Sequence, residues 1–250
     1  MQGYFDRIMD IGEQMLICGA EVHRVEDSME RMCASVGFKR TDVFIITSSM
    51  VVTVYTEESC YTQTRRIKQI GTDLERLHRL NDLSRKICAQ TLSAEDIKAE
   101  ISAIKKTKHP SLWVKCFSYA VIACAFTLFF GGGPAEAGGS AIIGLVLCLI
   151  TYFSDKAALN KIFAKLICSF AVTLCAYVAT RIGIAESMDK IIIGNIMLLI
   201  PGVGLTNSLR DLLAGDSIAG LLRLIEAVLL ALSIAAGYFL FVFLIGGNII

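Results

Sequence analysis

The chain has 250 residues, 54% of them hydrophobic, with a mean hydropathy of +0.61 and a formal net charge of +1. These averages conceal two unlike halves, because residues 1–110 carry 16 of the 24 Lys/Arg residues and 16 of the 23 Asp/Glu residues. The composition therefore excludes a uniformly water-soluble protein and predicts a soluble first half and a membrane-embedded second half. No nucleic-acid partner is expected.

The first half is predicted to be a small α+β domain over residues 1–110. Apolar residues recur at three- and four-residue spacings in a first helix, which Gly19 is expected to kink or split. β-Branched and aromatic residues then predict a pair of strands, followed by a third strand. Ser93 and Asp96 fit the start of the last helix of this half. The predicted helices cover residues 4–36, 73–90 and 93–106, and the predicted strands lie within residues 41–57 and 60–67.

The second half, residues 111–250, is predicted to form five transmembrane helices. Its long runs without a charged residue approach the roughly 20 apolar residues that cross a bilayer core. The expected spans are about 112–132, 137–154, 162–182, 190–207 and 220–245. A basic cluster at residues 105–110, followed by Trp113 and Tyr119, is typical of a cytoplasmic membrane interface.

The predicted orientation places the N-terminus in the cytoplasm. The first residues lack the basic and apolar regions of a secretory signal, and Lys156, Lys161 and Lys165 lie between the second and third spans. Five spans then leave the C-terminus outside. Nine scattered cysteines without a C-x-x-C pair indicate reduced thiols in such a protein.

A first group of polar residues lies in the first predicted helix. On a helix His23, Glu26, Asp27 and Glu30 have the spacing i, i+3, i+4 and i+7, so they can converge on one side. They are candidates for a metal site, a proton-binding site or acid–base chemistry, and the alternative is a solvated face with local ion pairs. A single histidine without a second cluster argues against a catalytic metal centre, and neither a metal nor a cofactor is expected.

A glycine-rich segment, Gly131 to Gly139 with Pro134, separates the first two predicted spans. It fits a tight extracellular turn or a re-entrant lining where the backbone approaches a solute. The Lys-Ser/Thr pair of a phosphate-binding loop does not follow it, so nucleotide binding is not expected.

The strongest functional candidate is the break in the fourth predicted span at Pro201-Gly202. In hydrocarbon, backbone groups freed by such a break face protein or a water-filled cavity, and polar residues inside a span tend to mark solute or ion pathways. Asn195 and Asn207 offer hydrogen bonds, and Arg210 can clamp a carboxylate. The predicted solute-binding residues are Asn195, Pro201, Gly202, Thr206, Asn207, Arg210 and Asp211. A solute would meet Arg210 first and Asn195 last.

A second polar group lies at the start of the last predicted span. Arg223 and Glu226 are three residues apart, so they form a helix-end ion pair or leave Glu226 to carry a proton. The predicted coupling or regulatory residues are His23, Glu26, Asp27, Asp216 and Glu226.

These motifs together resemble the threonine/serine exporter family. The resemblance is carried by residues 20–29, by Asp42-Val43-Phe44, by residues 80–85, and by Pro201-Gly202 with residues 206–216. It implies a cytoplasmic amino-terminal domain, five spans and a secondary exporter in the bacterial cytoplasmic membrane.

The length of the chain refines what the resemblance implies. Full-length members of that family carry about ten spans in two membrane halves, whereas five are predicted here. The chain therefore resembles the larger subunit of the split, two-chain form. Its expected partner is a small membrane protein that supplies the second half, or a second copy of the chain. Split forms are associated with succinate export as well as amino-acid export, so both solutes are candidates.

Two further interpretations use the first domain differently. A membrane-anchored hydrolase would act through His23, Glu26, Asp27 and Ser28, but the domain shows no G-x-S-x-G motif, and no catalytic residue is expected. A regulatory or assembly module would report cytoplasmic solute or pH to the spans, and it is compatible with transport.

Overall fold

The computed structural model describes residues 1–90, 92–107 and 110–245. The first half contains four helices and three strands, in the chain order α1, α2, β1, β2, β3, α3, α4. Their bounds are α1 Gln2–Ile17, α2 Val22–Ser35, β1 Arg40–Ile46, β2 Ser49–Tyr55, β3 Cys60–Arg66, α3 Leu74–Ala89 and α4 Ala94–Lys105. The α+β prediction for this region is confirmed.

Gly19 divides the predicted first helix into α1 and α2. Its φ of +90° is in the left-handed region, and the N–H of Ala20 donates to the Met15 carbonyl as in a helix C-terminal cap. A Cβ atom at residue 19 would lie 2.5 Å from the carbonyl oxygen of Gly71. Glycine is therefore the residue that this turn accommodates. We call residues 18–21 the α1–α2 turn.

The sheet is antiparallel, in the order β1-β2-β3, with Val43 opposite Val52 and Val52 opposite Gln63. Its buried side chains meet apolar residues of α1 and α2 in one core. Met9, Met29 and Met50 are fully buried there. At the start of α4 the Ser93 hydroxyl accepts from the Asp96 N–H, which confirms the predicted N-cap.

The second half contains six helices among the described residues. Four of them are long and apolar enough to cross a membrane, namely α5 Leu112–Phe129, α6 Pro134–Lys156, α7 Lys161–Arg181 and α10 Ser217–Ile245. Between α7 and α10 lie the shorter helices α8 Met188–Ile196 and α9 Gly202–Ala214.

Residues 190–207, predicted as one span, do not form a single helix. Helix α8 ends at Ile196, and α9 begins at Gly202. Pro201 explains the gap, because its ring collides with the carbonyl of residue i−4 and it donates no hydrogen bond. The bounds of the predicted span are corrected accordingly.

The glycine-rich segment between α5 and α6 is a tight turn. Gly131 has a φ of +81°, and the Gly132 N–H donates to the Thr127 carbonyl at 2.9 Å. Gly133 caps α6, and its N–H donates to Glu136 Oε2 at 2.9 Å. Of the two interpretations of this segment, the turn is the one that the structure supports.

The chain folds into two compact units. The first comprises Met1–Lys108 and Val203–Ile225, and the second comprises His109–Gly202 and Glu226–Ile250. The first unit thus contains α9 and the beginning of α10 in addition to the α+β region. Residues 108 and 109 of the predicted boundary segment 105–110, and the predicted outer C-terminus at residue 250, lie outside the described residues.

Candidate functional site

The α1–α2 turn is held by side chains from α9 and α10. Asn207 Nδ2 donates to the Gly19 carbonyl at 3.1 Å, and Arg223 Nη2 donates to the Ala20 carbonyl at 2.7 Å. The break at Gly19 leaves carbonyl groups without helical partners, so these donors satisfy groups that the break creates. Asn207 is one of the predicted solute-binding residues, whereas Arg223 lies further along the chain, in α10.

The start of α2 is capped from the same segment. Its N-cap residue Glu21 makes no side-chain cap bond, and the Val22 N–H instead donates to Asp211 Oδ1 at 3.0 Å, across 189 residues of sequence. A carboxylate is favourable there because the N-terminus of a helix carries partial positive charge. Glu21 in turn accepts from Arg210 Nη1 at 2.7 Å. Contacts from α9 and α10 therefore cover residues 19–22.

Asp211 and Arg223 form a buried ion pair. Arg223 Nη1 lies 3.2 Å from Asp211 Oδ2, and the two side chains are 7% and 0% exposed, respectively. Removing one partner of such a pair leaves an uncompensated buried charge. The pair also answers a question that the sequence left open. Arg223 pairs with Asp211, while Glu226 is 3.9 Å from Lys161, so the alternative of an Arg223–Glu226 ion pair is wrong.

A small pocket opens beside the α1–α2 turn, and we call it the turn pocket. Its volume is about 190 Å³. Its polar lining consists of Glu21, Arg24, Asn81, Asn207 and Arg210, and part of its apolar wall is formed by Met15, Leu74, Leu77 and Val203. Two guanidinium groups, one carboxylate and two amides therefore face one space beside an apolar wall. Such a lining can bind a small charged metabolite that has a short apolar part.

Glu26 is a candidate proton-binding residue in the first unit. Its pKa is raised to about 7, chiefly by burial and next by the negative charge of Asp216, while the Ile45 N–H, which donates to Glu26 Oε1 at 2.9 Å, acts in the opposite direction. Asp216 Oδ2 is buried and lies 4.0 Å from His23 Nδ1. Asp27 turns away and accepts from Arg31 instead.

The remaining predicted site residues belong mainly to the second unit. Asn195 is fully buried, its Nδ2 donates to the Ile191 carbonyl at 3.0 Å, and its Oδ1 has no hydrogen-bond partner among the described residues. Pro201 and Gly202 lie at the break before α9, and Glu226 is half exposed. Thr206, on α9 in the first unit, is exposed. The predicted solute-binding residues are thus divided between the two units.

Several residues that organise these sites were not predicted. Glu21 and Gly19 lie in the sequence motif near residue 20, and Arg223 lies downstream of the motif at residues 206–216. Their common signal was that both motifs entered the same family resemblance. Thr127 gave no signal because it lies within an apolar run, yet it is buried, and its hydroxyl donates to Ser140 Oγ at 2.6 Å.

The residues named for hydrolase or metal chemistry have other partners. Ser28 Oγ donates to the Arg24 carbonyl, four residues back on its own helix. Within residues 1–90, 92–107 and 110–245, no three His, Cys, Asp or Glu side chains are grouped closely enough to hold a metal ion. All nine cysteines are free thiols.

Four long apolar helices and a polar, broken segment define a multi-pass membrane protein. A family model, ThrE, described as "Putative threonine/serine exporter", matches residues 6–245. The chain therefore belongs to the threonine/serine exporter family, which is a family of transporters. No solved structure matches the chain.

Two curated relatives carry transport names. The chain is 22% identical to the "Probable succinate transporter subunit YjjP" of Klebsiella aerogenes over 220 residues, which cover 88% of this chain and 85% of that protein. It is 24% identical to the "Threonine/serine exporter" of Corynebacterium glutamicum over 178 residues, which cover 68% of this chain and 36% of that protein. A third relative is "Pheromone-regulated membrane protein 10" of Kluyveromyces lactis, at 24% identity, with 92% of this chain and 25% of that protein covered.

Proposed function

We propose that this chain is a subunit of a secondary transporter that exports small carboxylate-bearing metabolites, threonine or serine first, across the bacterial cytoplasmic membrane. Family membership supports export, and the four apolar helices support a multi-pass location. In this proposal residues 1–110 and α9 face the cytoplasm, residues 111–250 supply the membrane part, and the C-terminus lies outside. No catalytic role is proposed for any residue.

The turn pocket is the observation that carries this proposal. Its volume of about 190 Å³ is below the roughly 300–1,000 Å³ of sites for drug-sized ligands, and it suits one small metabolite. Arg24 and Arg210 offer charge-assisted hydrogen bonds to a carboxylate, and Asn81 and Asn207 offer amides to a hydroxyl or a second oxygen. We propose it as the cytoplasmic solute site, with Asp211 holding its wall through the Val22 N–H.

Glu21 distinguishes the two candidate solutes. An amino acid brings an ammonium group, for which the Glu21 carboxylate is an acceptor, whereas the second carboxylate of succinate would meet repulsion there. Succinate remains a candidate because the pocket contains two arginines, Arg24 and Arg210, which can each bind one of its carboxylates. Glu21→Gln is therefore expected to weaken threonine and serine export about tenfold and to leave succinate export unchanged or faster. The opposite pattern would assign the pocket to dicarboxylates.

The fourth crossing, between α7 and α10, is proposed to be discontinuous. Helix α8, with nine residues, rises only about 14 Å, which is less than half of a bilayer core of about 30 Å. We propose that α8 and the non-helical residues 197–201 complete the crossing beside a cavity, where irregular backbone is tolerated. The unpartnered Oδ1 of Asn195 makes this residue the candidate for solute contact at membrane depth.

We propose that proton binding by Glu26, beside the Asp216 carboxylate and His23, couples export to an ion gradient. The support is the pKa of Glu26, which lies within the cytoplasmic range of pH. Asp27 and Glu226 remain weaker candidates, because each is paired with a cation at the surface.

A partner subunit is part of the proposal. Alternating access in such transporters uses two related halves, and the printed names of the YjjP relatives describe a subunit. We propose that a small membrane protein supplies the second half, with a homo-oligomer as the alternative.

The test measures the export of threonine, serine and succinate from cells that express this chain together with the proposed partner subunit. Each variant is compared at an equal amount of protein in the membrane. Arg210→Ala and Asn207→Ala are expected to slow export about tenfold or more, because each removes a hydrogen bond from the site. The matched control is Arg79→Ala, an exposed arginine on α3 that is paired with Glu75 and lies outside the pocket. Undiminished export in both variants would overturn the site, and no export of any of the three solutes would overturn the function.

A further inference from the structure

A second concave site lies between α2 and α3 in the first unit, and we call it the arginine groove. Its volume is about 390 Å³, twice that of the turn pocket. Arg24 and Arg31 contribute from α2, and Arg85 contributes from α3. Asn81, Ser28 and Ser84 add uncharged polar groups to the lining. Arg31, Arg85, Ser28 and Ser84 have no role in the proposed transport cycle.

Two of the three arginines are already positioned by carboxylates on their own helices. Arg31 Nε donates to Asp27 Oδ1 at 2.9 Å, and Arg85 Nη2 donates to Asp82 Oδ1 at 2.9 Å. Each of these bonds uses one of the five N–H donors of a guanidinium group. Their side chains are 72% and 69% exposed, so the remaining donors are accessible to a ligand. The side chain of Arg24 forms no ion pair with any residue that the structure describes.

The free guanidinium donors of the groove select the class of ligand. Its lining contains three guanidinium groups and a single carboxylate, Asp27. Because Asp27 and Asp82 each occupy only part of one guanidinium group, a single carboxylate can receive a forked contact from one arginine, whereas a ligand with two or more anionic groups can receive one from each of two arginines. We infer that the arginine groove binds a small free anion with at least two negative charges, of the polycarboxylate or phosphorylated-metabolite class.

The position of Arg24 gives this site a regulatory consequence, which rests on the proposed function. Arg24 and Asn81 line both the arginine groove and the turn pocket. An anion that draws the Arg24 guanidinium into the groove removes it from the turn pocket. The turn pocket then has one guanidinium group fewer to bind the carboxylate of the solute. Occupancy of the groove is therefore expected to lower the affinity for the exported solute.

The binding test uses the full chain in detergent and does not depend on transport. Cys88 lines the groove and is an exposed thiol, while Cys60 is an exposed thiol on β3 that does not line the groove. The rate at which N-ethylmaleimide modifies each thiol is measured by mass spectrometry with pyrophosphate or citrate present. At ten times the dissociation constant of either probe, modification of Cys88 is expected to slow about tenfold, and that of Cys60 is expected not to change.

Variants separate this site from general effects on the protein. The double variant Arg31→Ala/Arg85→Ala is expected to raise the dissociation constant of the probe about tenfold or more, and Arg79→Ala on the same helix α3 is expected to leave it unchanged. If the double variant does not fold, Arg85→Gln alone gives the same comparison. The inference is overturned if neither probe protects Cys88, if Cys60 is protected equally, or if the arginine variants bind as the unmodified chain does. Loss of the proposed export function would leave these results unaffected.

Discussion

The two units of this protein bury polar groups in different ways. The first unit buries full charges, Asp211 and Arg223, and matches each with an opposite charge and a backbone group. The second unit buries mainly uncharged groups, whose hydrogen bonds go to backbone carbonyls or to each other. Examples are Ser169 Oγ, which donates to the Ile234 carbonyl, and the Thr127–Ser140 pair.

The buried charged groups of the first unit have an evident structural role. Where the chain breaks at Gly19, the buried side chains satisfy carbonyls and an N–H that the break leaves open, so they hold the fold. In the second unit Asn195 keeps an acceptor oxygen without a partner among the described residues. A buried unsatisfied acceptor is costly, and this is the reason that Asn195 is proposed for solute contact.

The largest expected effect tests the charged pair. Asp211→Ala leaves Arg223 buried without its partner and leaves the Val22 N–H uncapped, so a loss of about 3–5 kcal/mol in the free energy of unfolding is expected. Denaturant titration of the full chain in detergent measures it. Asp27→Ala, which removes an exposed pair, is the control, with an expected loss of at most about 1 kcal/mol. Equal losses would contradict a structural role for the buried pair.

The next effect tests the turn that this pair supports. Gly19→Ala is expected to cost about 2–3 kcal/mol, because the residue has positive φ and its new Cβ would contact the Gly71 carbonyl. Gly37 is the control that distinguishes the cost of the positive φ from the cost of the steric contact. It has a φ of +95°, but a Cβ atom added there would lie in ordinary van der Waals contact with Met1 Cε, at 3.8 Å. Gly37→Ala is expected to lose about 1–2 kcal/mol. The same denaturant titration compares the two variants, and a Gly37 loss as large as that at Gly19 would show that the contact contributes nothing.

A third variant examines the close packing of the second unit. A Cβ atom at Gly194 would overlap the Thr127 hydroxyl and lie 2.8 Å from the Thr127 backbone nitrogen. Gly194→Ala is expected to lose about 1–3 kcal/mol. A Cβ atom added at Gly138, on α6, would have no neighbouring atom within 4 Å. Gly138→Ala is therefore expected to be neutral or slightly stabilising. Thermal unfolding in detergent ranks the two, and similar melting temperatures would argue against close packing at residue 194.

The smallest effect concerns pH. Because the pKa of Glu26 is raised to about 7 in the folded protein from an ordinary value of 4.5, the folded state binds the proton more tightly than the unfolded state. Stability is therefore lost as pH rises from about 4.5 through about 7. Glu26→Gln is expected to remove this slope and to gain on the order of 1 kcal/mol at pH 8 relative to pH 5. Denaturant titrations at the two pH values measure it, and an unchanged slope would remove Glu26 as the proposed coupling residue.

The sequence predicted local structure better than it predicted contacts between residues far apart in the chain. The strands, the Ser93 cap and the division near Gly19 follow from side-chain spacing and backbone preference, which act within a few residues. The contact of Asp211 with Val22 joins positions 189 residues apart, and no periodic pattern encodes such a pairing. For the same reason neither Arg24 nor Glu21 was predicted as a site residue, although both line a pocket with the predicted residues Asn207 and Arg210.

Residues 203–225 belong to the first unit, and this limits which truncated variants of the protein can fold. The chain passes from one unit to the other three times, after residues 108, 202 and 225. A truncation that removes residues 1–108 would also remove the α1–α2 turn, which Asp211 of α9 and Arg223 of α10 contact. These two charged side chains, which are buried in the full chain, would then be exposed to solvent or lipid. The amino-terminal region and residues 203–225 thus form one folded unit, and point variants, unlike deletions, are the appropriate way to study it.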